Sequence, residues 1–239
     1  MKRARIDVEG EVREAEVHDY GFEVGGEVHA HGGVDVLPPC EPTKVLGVGR
    51  NYAEHADELD NEVPEFPLFF LKPPSAVVGH ADEIPYPSTT DELHFEAELG
   101  VVIGRRCRDV DVDDALSYVE GYTCVNDVTA RDWQRRESQW TRAKGGDCFC
   151  PLGPWVETDV DPSSLDVELR LNGEVRQSSN TRHMAFSVPE LVSEASRFLT
   201  LMPGDVLATG TPEGVGEMQP GDSVEVEVEG VGTLENRVV

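Results

Sequence analysis

Apolar and polar residues alternate with a period of two along much of this chain, in short runs punctuated by Gly, Pro and Asn-Gly. A period of two places successive side chains on opposite faces of a strand. The pattern predicts strands over Lys44–Gly49, Leu68–Leu71, Leu93–Ile103, Gly121–Val128, Asp205–Thr209, Ser223–Glu229 and Val231–Val239. Asp166–Leu171 and Glu174–Gln177 flank Asn172-Gly173, whose φ > 0 residues make a hairpin. Helical signals are few. Asn51 is a suitable N-cap for residues 52–59, Val112–Tyr118 and Thr129–Glu137 are short, and Ser187-Val188-Pro189-Glu190 is a capping box opening a helix to Leu201. Strands do not alternate regularly with helices, and Gly47-Val48-Gly49 lacks the third glycine of a dinucleotide-binding turn. The expected class is therefore α+β, mainly β, with few short helices. Residues 1–40 are strand-like pieces separated by Gly pairs and read as a small N-terminal β element, followed by a main domain over 44–239.

Within the 93–103 strand, His94-Phe95-Glu96-Ala97-Glu98 places Glu96 and Glu98 on one face, with Phe95, Ala97 and Leu99 on the other. Two adjacent carboxylates repel by about 4 kcal/mol at ~4 Å and an effective dielectric of ~20. A cation between them reverses the sign, and Asp127 at the end of the next strand offers a third oxygen. That donor set suits Mg²⁺ or Mn²⁺. The alternative is a solvated strand face in an acidic protein, the reading given to Glu225, Glu227 and Glu229.

Composition narrows the function class. The 239 residues carry 47 acidic and 20 basic side chains, a net charge of −27, which disfavours nucleic acid as a partner. No segment has the roughly 20 apolar residues of a membrane span, and the basic start leads into no apolar signal core, so a cytoplasmic location is expected. Surface acid with four lysines beside sixteen arginines points to a salt-adapted, halophilic protein. Against that scarcity, Lys72 and Lys144 stand inside the most motif-like segments and are candidate functional cations. The five cysteines include no Cys-x-x-Cys pair and are read as buried small hydrophobes. His55 and Glu58, at i and i+3, can act together on a water or form an ordinary surface pair. The Gly-rich turn Thr209–Gly216 can cradle an anionic oxygen through its backbone N–H groups or be purely structural.

Taken together, Gly49-Arg50-Asn51-Tyr52-Ala53-Glu54-His55, Phe70-Leu71-Lys72-Pro73 and His94–Gly100 resemble the fumarylacetoacetate hydrolase (FAH) superfamily. The resemblance continues through Asn126–Asp132, Trp140–Lys144 and Thr209–Gly216, in the family's order, over about residues 44–239. It implies the family's mixed β-roll and usually a homodimer. It implies Glu96, Glu98 and Asp127 as ligands of Mg²⁺ or Mn²⁺, and His55 with Glu58 as the water-activating dyad. Lys144 would stabilise developing negative charge, while Lys72, Arg131, Gln134 and Thr211 would line the substrate or support the metal site.

The implied substrate is a small 2-oxoacid, whose chelation makes the metal a Lewis acid and whose enolate metal and lysine stabilise. Hydrolysis of an acylpyruvate is the expected reaction, because His55 and Glu58 can position an attacking water. Oxaloacetate decarboxylation, isomerisation of an oxo-enoate and dehydration of a 2-keto-3-deoxy sugar acid use the same enolate. A metal-dependent binding protein without catalysis is the non-enzymatic alternative. The chain departs from its relatives after Lys144: Gly146 replaces a common aromatic residue and Cys148 a frequent hydroxyl residue, which bears on the substrate's distal group.

Overall fold

The computed structural model describes residues 1–52 and 64–239. Strands dominate it, as the alternation predicts. The largest sheet runs from Lys2–Val8 through Cys150–Glu157, Val119–Asn126, Ala97–Ile103, Val206–Ala208 and Val45–Gly49 to Leu68–Lys72 at its edge. Strand Lys2–Val8 joins it by antiparallel pairing of Lys2 with Glu157 and Arg3 with Val156, and it also carries the N-terminal hairpin strands Glu11–His18 and Asp35–Leu37. Ala4, Ile6, Ala15 and Phe22 form a small apolar cluster of their own there.

A second sheet orders Glu174–Asn180, Asp166–Leu171, Ser223–Val228, Gly232–Val238 and Glu83–Ile84. Its alternation is regular: Val224, Val226 and Val228 are buried while Ser223, Glu225 and Glu227 face outward. The buried valines and Val167, Leu169 and Leu171 belong to one core with Leu99, Val101, Cys124 and Leu152 of the large sheet. Asn172 and Gly173 both have positive φ, 54° and 79°, as the Asn-Gly hairpin requires. Helix Val188–Phe198 buries Val188, Leu191, Val192 and Ala195, one stripe at i, i+3, i+4 and i+7. Its start is closed by Glu190, whose carboxylate accepts from the Ser187 N–H at 2.8 Å and hydroxyl at 2.6 Å. No helix among the described residues is long and apolar enough to cross a membrane.

Three expectations change. Thr129–Ala130, expected to open the helix to Glu137, is a strand, and the helix spans Arg131–Arg136. Leu68–Lys72 is an edge strand rather than a buried one, with Leu71 half exposed. The single 93–103 strand is two: Leu93–Phe95 pairs with Thr129–Ala130 and Gly216–Met218 in a separate three-stranded sheet, and Ala97–Ile103 lies in the large one. The break falls at Glu96. Its N–H donates to the Asn126 side-chain carbonyl at 3.0 Å rather than to a ladder partner, and its carbonyl accepts from the Asp127 N–H at 2.9 Å. Glu96 therefore departs from the strand alternation, standing where the chain changes sheets.

Candidate active site

The break at Glu96 builds the site. Asp127 follows Val119–Asn126, the neighbour of Ala97–Ile103, and the exchange of bonds between Glu96, Asn126 and Asp127 holds the two crossing points together. Carboxylate oxygens of Glu96, Glu98 and Asp127 lie within 4.8 Å of one another, and all three residues are buried. Burial, and then the Asp127 and Glu96 carboxylates, raise the Glu98 pKa well above the ordinary carboxylate value. Glu98 has a fixed donor, the Gly210 N–H at 2.9 Å. Gly210 sits at φ +98°, and a Cβ there would fall 2.8 Å from Cβ of Asn51, so this turn needs glycine. The anionic oxygen cradled by the Gly-rich turn is thus the chain's own Glu98.

Three cations reach this acid cluster from separate elements. Lys144, at the end of the one-turn helix Thr141–Lys144, donates to Glu96 at 2.8 Å and Asp127 at 2.5 Å. Burial lowers its pKa, but the Asp127 and Glu96 carboxylates outweigh that and hold it raised, so its ammonium stays charged. Lys72, fully buried at the end of its edge strand, donates to Asp127 and to the Val128 carbonyl at 3.2 Å. Arg131 opens the helix Arg131–Arg136 and donates to Glu96 at 2.5 Å and to Gln134. Although the helix pattern turns most of its charge outward, Arg131 is buried.

Behind Arg131 lies a relay of polar groups. Its Nε donates to His94 Nδ1 at 3.4 Å, which leaves the other ring nitrogen, Nε2, to donate to Glu92 at 3.1 Å. Burial and then the Arg131 charge depress the His94 pKa, so the ring is neutral in this tautomer. Glu92 in turn takes two bonds from Arg135, at 2.8 and 2.5 Å.

A cavity of about 300 Å³ opens onto the cluster; Glu96, Lys144, Arg131, Gln134 and Thr211 line it with Val48, Gly49, Arg50, Arg135 and Trp140. The structure thus brings together Glu96, Glu98, Asp127, Lys144, Lys72, Arg131, Gln134 and Thr211. His55 and Glu58 lie outside the described residues. Neither Gly146 nor Cys148 lines the cavity; the space a side chain at Gly146 would take is met by the Phe149 ring at 3.0 Å. The five cysteines are free; Cys40, Cys107, Cys124 and Cys150 are buried as expected, with burial pushing the Cys40, Cys124 and Cys150 thiols up to about 12, whereas Cys148 is only partly buried.

Two supporting residues escaped the sequence reading. Gln177, 1% exposed, accepts from the Ala97 N–H at 2.9 Å and donates to the Thr211 hydroxyl and Pro212 carbonyl, each at 2.8 Å. It ties the strand break to the Gly-rich turn, yet in sequence it is one amide in a hairpin. Asn51 is wholly buried, and its side chain bonds Phe186 in both directions, at 3.1 and 2.8 Å, and the Thr209 carbonyl at 2.7 Å. Its amide therefore fastens the segment to two other elements; the helix it was expected to cap lies outside the described residues.

The profile of the family described as fumarylacetoacetate (FAA) hydrolase C-terminal matches residues 44–239. The chain belongs to this family. It is 43% identical over 215 residues to the oxaloacetate tautomerase Fahd2a of Rattus norvegicus, covering 85% of this chain and 69% of that protein. The solved structure of 5-carboxymethyl-2-hydroxymuconate delta-isomerase from Mycobacterium smegmatis superposes with a TM-score of 0.94 at 44% identity, over 100% of this chain and 98% of that one. Fumarylpyruvate hydrolase from Pseudomonas aeruginosa, solved with Mn²⁺ and pyruvate, gives a TM-score of 0.79 at 38% identity, over 87% and 93% of the two chains. The all-oxygen, buried donor set of Glu96, Glu98 and Asp127 fits a hard divalent cation, whose charge would relieve their mutual repulsion.

Proposed function

We propose that this chain is a divalent-metal-dependent enzyme that moves a proton at the carbon next to the keto group of a small 2-oxoacid. The observation that carries the reading is the buried Glu96–Glu98–Asp127 cluster with Lys144 fixed beside it at the wall of a small cavity. Mg²⁺ or Mn²⁺ held by the three carboxylates would supply Lewis-acid polarisation of the keto oxygen. The proton passes to a solvent water, and the chain's own residues arrange the charge around that transfer. Lys144, kept protonated by Glu96 and Asp127, presents positive charge where negative charge grows as the proton leaves. Lys72 holds Asp127, Arg131 holds Glu96, and the Gly210 N–H holds Glu98, so the carboxylates need little rearrangement. Among the described residues three cations contact Glu96 and Asp127 of this three-carboxylate cluster, so a bound divalent ion would leave the site positive and favour an anionic substrate.

Tautomerisation and isomerisation of 2-oxoacids need this enolising core alone, and relatives bearing those names are 43–44% identical to the chain. Hydrolysis of the carbon–carbon bond of an acylpyruvate is a second reading, favoured by His55 and Glu58 at i and i+3 in the sequence. One experiment addresses both. Deuterium exchange into the methyl group of pyruvate should require Mg²⁺ or Mn²⁺ and stop on chelation; exchange that is absent, or equally fast without metal, would remove the proposal. On acetylpyruvate, His55→Ala should lose hydrolysis by about 10²–10⁴-fold while exchange survives better. Equal loss of both would take the water-activating role from His55.

A further inference from the structure

Among the described residues four basic side chains line the cavity, and three are committed. Lys144 is bonded to Glu96 and Asp127, Arg131 to Glu96 and Gln134, and Arg135 to Glu92. Arg50, the fourth, has no hydrogen bond or ion pair among the described residues. Among the described residues Glu96 is the one carboxylate lining the cavity, and Arg131 and Lys144 already occupy it. Arg50 also borders the neighbouring apolar groove with Phe69, Phe70, Trp140 and Phe198, so its charge is partly removed from water.

Its placement is fixed rather than incidental. Arg50 sits at φ +59°, a region that bulky L side chains rarely adopt and that clusters at binding sites. On one side Asn51 is fastened to Phe186 and Thr209. On the other, Gly49 lets the chain pass so close to Trp140 that a Cβ would stand 2.7 Å from its ring. The surroundings therefore over-determine a strained backbone that sets at the cavity wall a guanidinium with no partner among the described residues.

We infer that Arg50 binds the distal carboxylate of the substrate, which makes the site selective for 2-oxo dicarboxylates over 2-oxo monocarboxylates. This rests on the 2-oxoacid reading and sharpens it. The planar guanidinium fork matches a carboxylate through two parallel N–H bonds, and the half-buried setting strengthens them. Lys144 and Arg131 belong to the acidic end of the cavity, so among the described residues Arg50 is the group left to discriminate the far end of the ligand.

The test is calorimetric binding to the full chain saturated with Mn²⁺, using 2-oxoglutarate and 2-oxopentanoate, which differ by a distal carboxylate against a methyl group. Wild type should prefer the dicarboxylate by about 10- to 100-fold, the range for a hydrogen bond to a charged group. Arg50→Gln should bring that ratio near one, and Arg50→Lys should restore part of it, since lysine supplies charge without the fork. Arg50→Gly relieves the backbone strain and so guards against misfolding as the explanation; the ratio must collapse there as well. A wild type that binds both without preference, or a preference that survives in Arg50→Gln, overturns the assignment and leaves the 2-oxoacid reading standing. Failure of wild type to bind either compound removes that reading and the Arg50 assignment with it.

Discussion

Glu98→Gln separates the electrostatic role of the acid cluster from simple packing. At 4.8 Å, the outer limit of the oxygen separations, two unit charges repel by about 3.5 kcal/mol at an effective dielectric of ~20. An ionised Glu98 meets two such neighbours, Glu96 and Asp127, with Lys144 as partial compensation. Glutamine removes that repulsion, keeps an acceptor for the Gly210 N–H and turns an amide donor toward the carboxylates. The metal-free variant should therefore be no less stable than metal-free wild type, which is unusual for a buried charged residue.

Metal reverses the ranking. At Mn²⁺ one hundred times above its Kd, wild type gains about 2.7 kcal/mol, or roughly 5–10 °C in Tm for a chain of this size. Loss of a direct ligand should weaken binding by at least about a hundredfold, given that outer partners alone cost 10–100-fold. At the same Mn²⁺ the variant then gains only about 0.4 kcal/mol, roughly 1 °C. Thermal unfolding of both proteins with Mn²⁺ and with chelator reads all four values. An equal Mn²⁺ shift in the two proteins, or a metal-free variant several degrees below metal-free wild type, would refute the reasoning.

Two further predictions concern stability away from the site. Asp205, fully buried, accepts from the Thr43 hydroxyl at 2.7 Å, from the N–H groups of Thr43, Lys44 and Met202 at 2.9, 3.2 and 2.7 Å, and from the Lys44 ammonium. Asp205→Asn should cost about 2 kcal/mol or more, roughly 4–8 °C in Tm, because an amide nitrogen in place of one carboxylate oxygen leaves a backbone N–H without its acceptor and removes the charge that the part-buried Lys44 ammonium faces. Burial raises the Asp205 pKa, but the Lys44 ammonium with the Met202 and Thr43 donors brings it below the ordinary 3.8. A depressed folded-state value stabilises above the unfolded-state pKa, so the wild-type advantage should hold near neutral pH and shrink as pH falls below about 4; an advantage that grows on acidification would contradict this. Net charge −27 should make stability rise with salt, since screening shortens from about 30 Å at 0.01 M to about 3 Å at 1 M. A Tm that is flat or falls between 0.05 and 2 M KCl would count against the salt-adapted reading.

Local chemistry alone accounts for the strand-rich class, the Asn172-Gly173 hairpin and the Ser187–Glu190 start of the main helix. Each depends on residues within a few positions of one another, so period and turn chemistry reveal it. The acid cluster was legible for the same reason in part: Glu96 and Glu98 are two apart, and Asp127 ends the adjacent run. Its geometry was not. Glu96 sits at a change of sheet set by the Asn126 side chain, the Glu98 donor is Gly210, 112 residues away, and Gln177 reaches Ala97 across 80. Which residues meet over such distances depends on sheet order and register, which no local pattern encodes. The burial of Arg131 and the position of Arg50 at the cavity wall are decided at the same level. Both are arginines in charged or turn-like stretches, and only the packed structure decides that one neutralises Glu96 while the other is left to face the cavity.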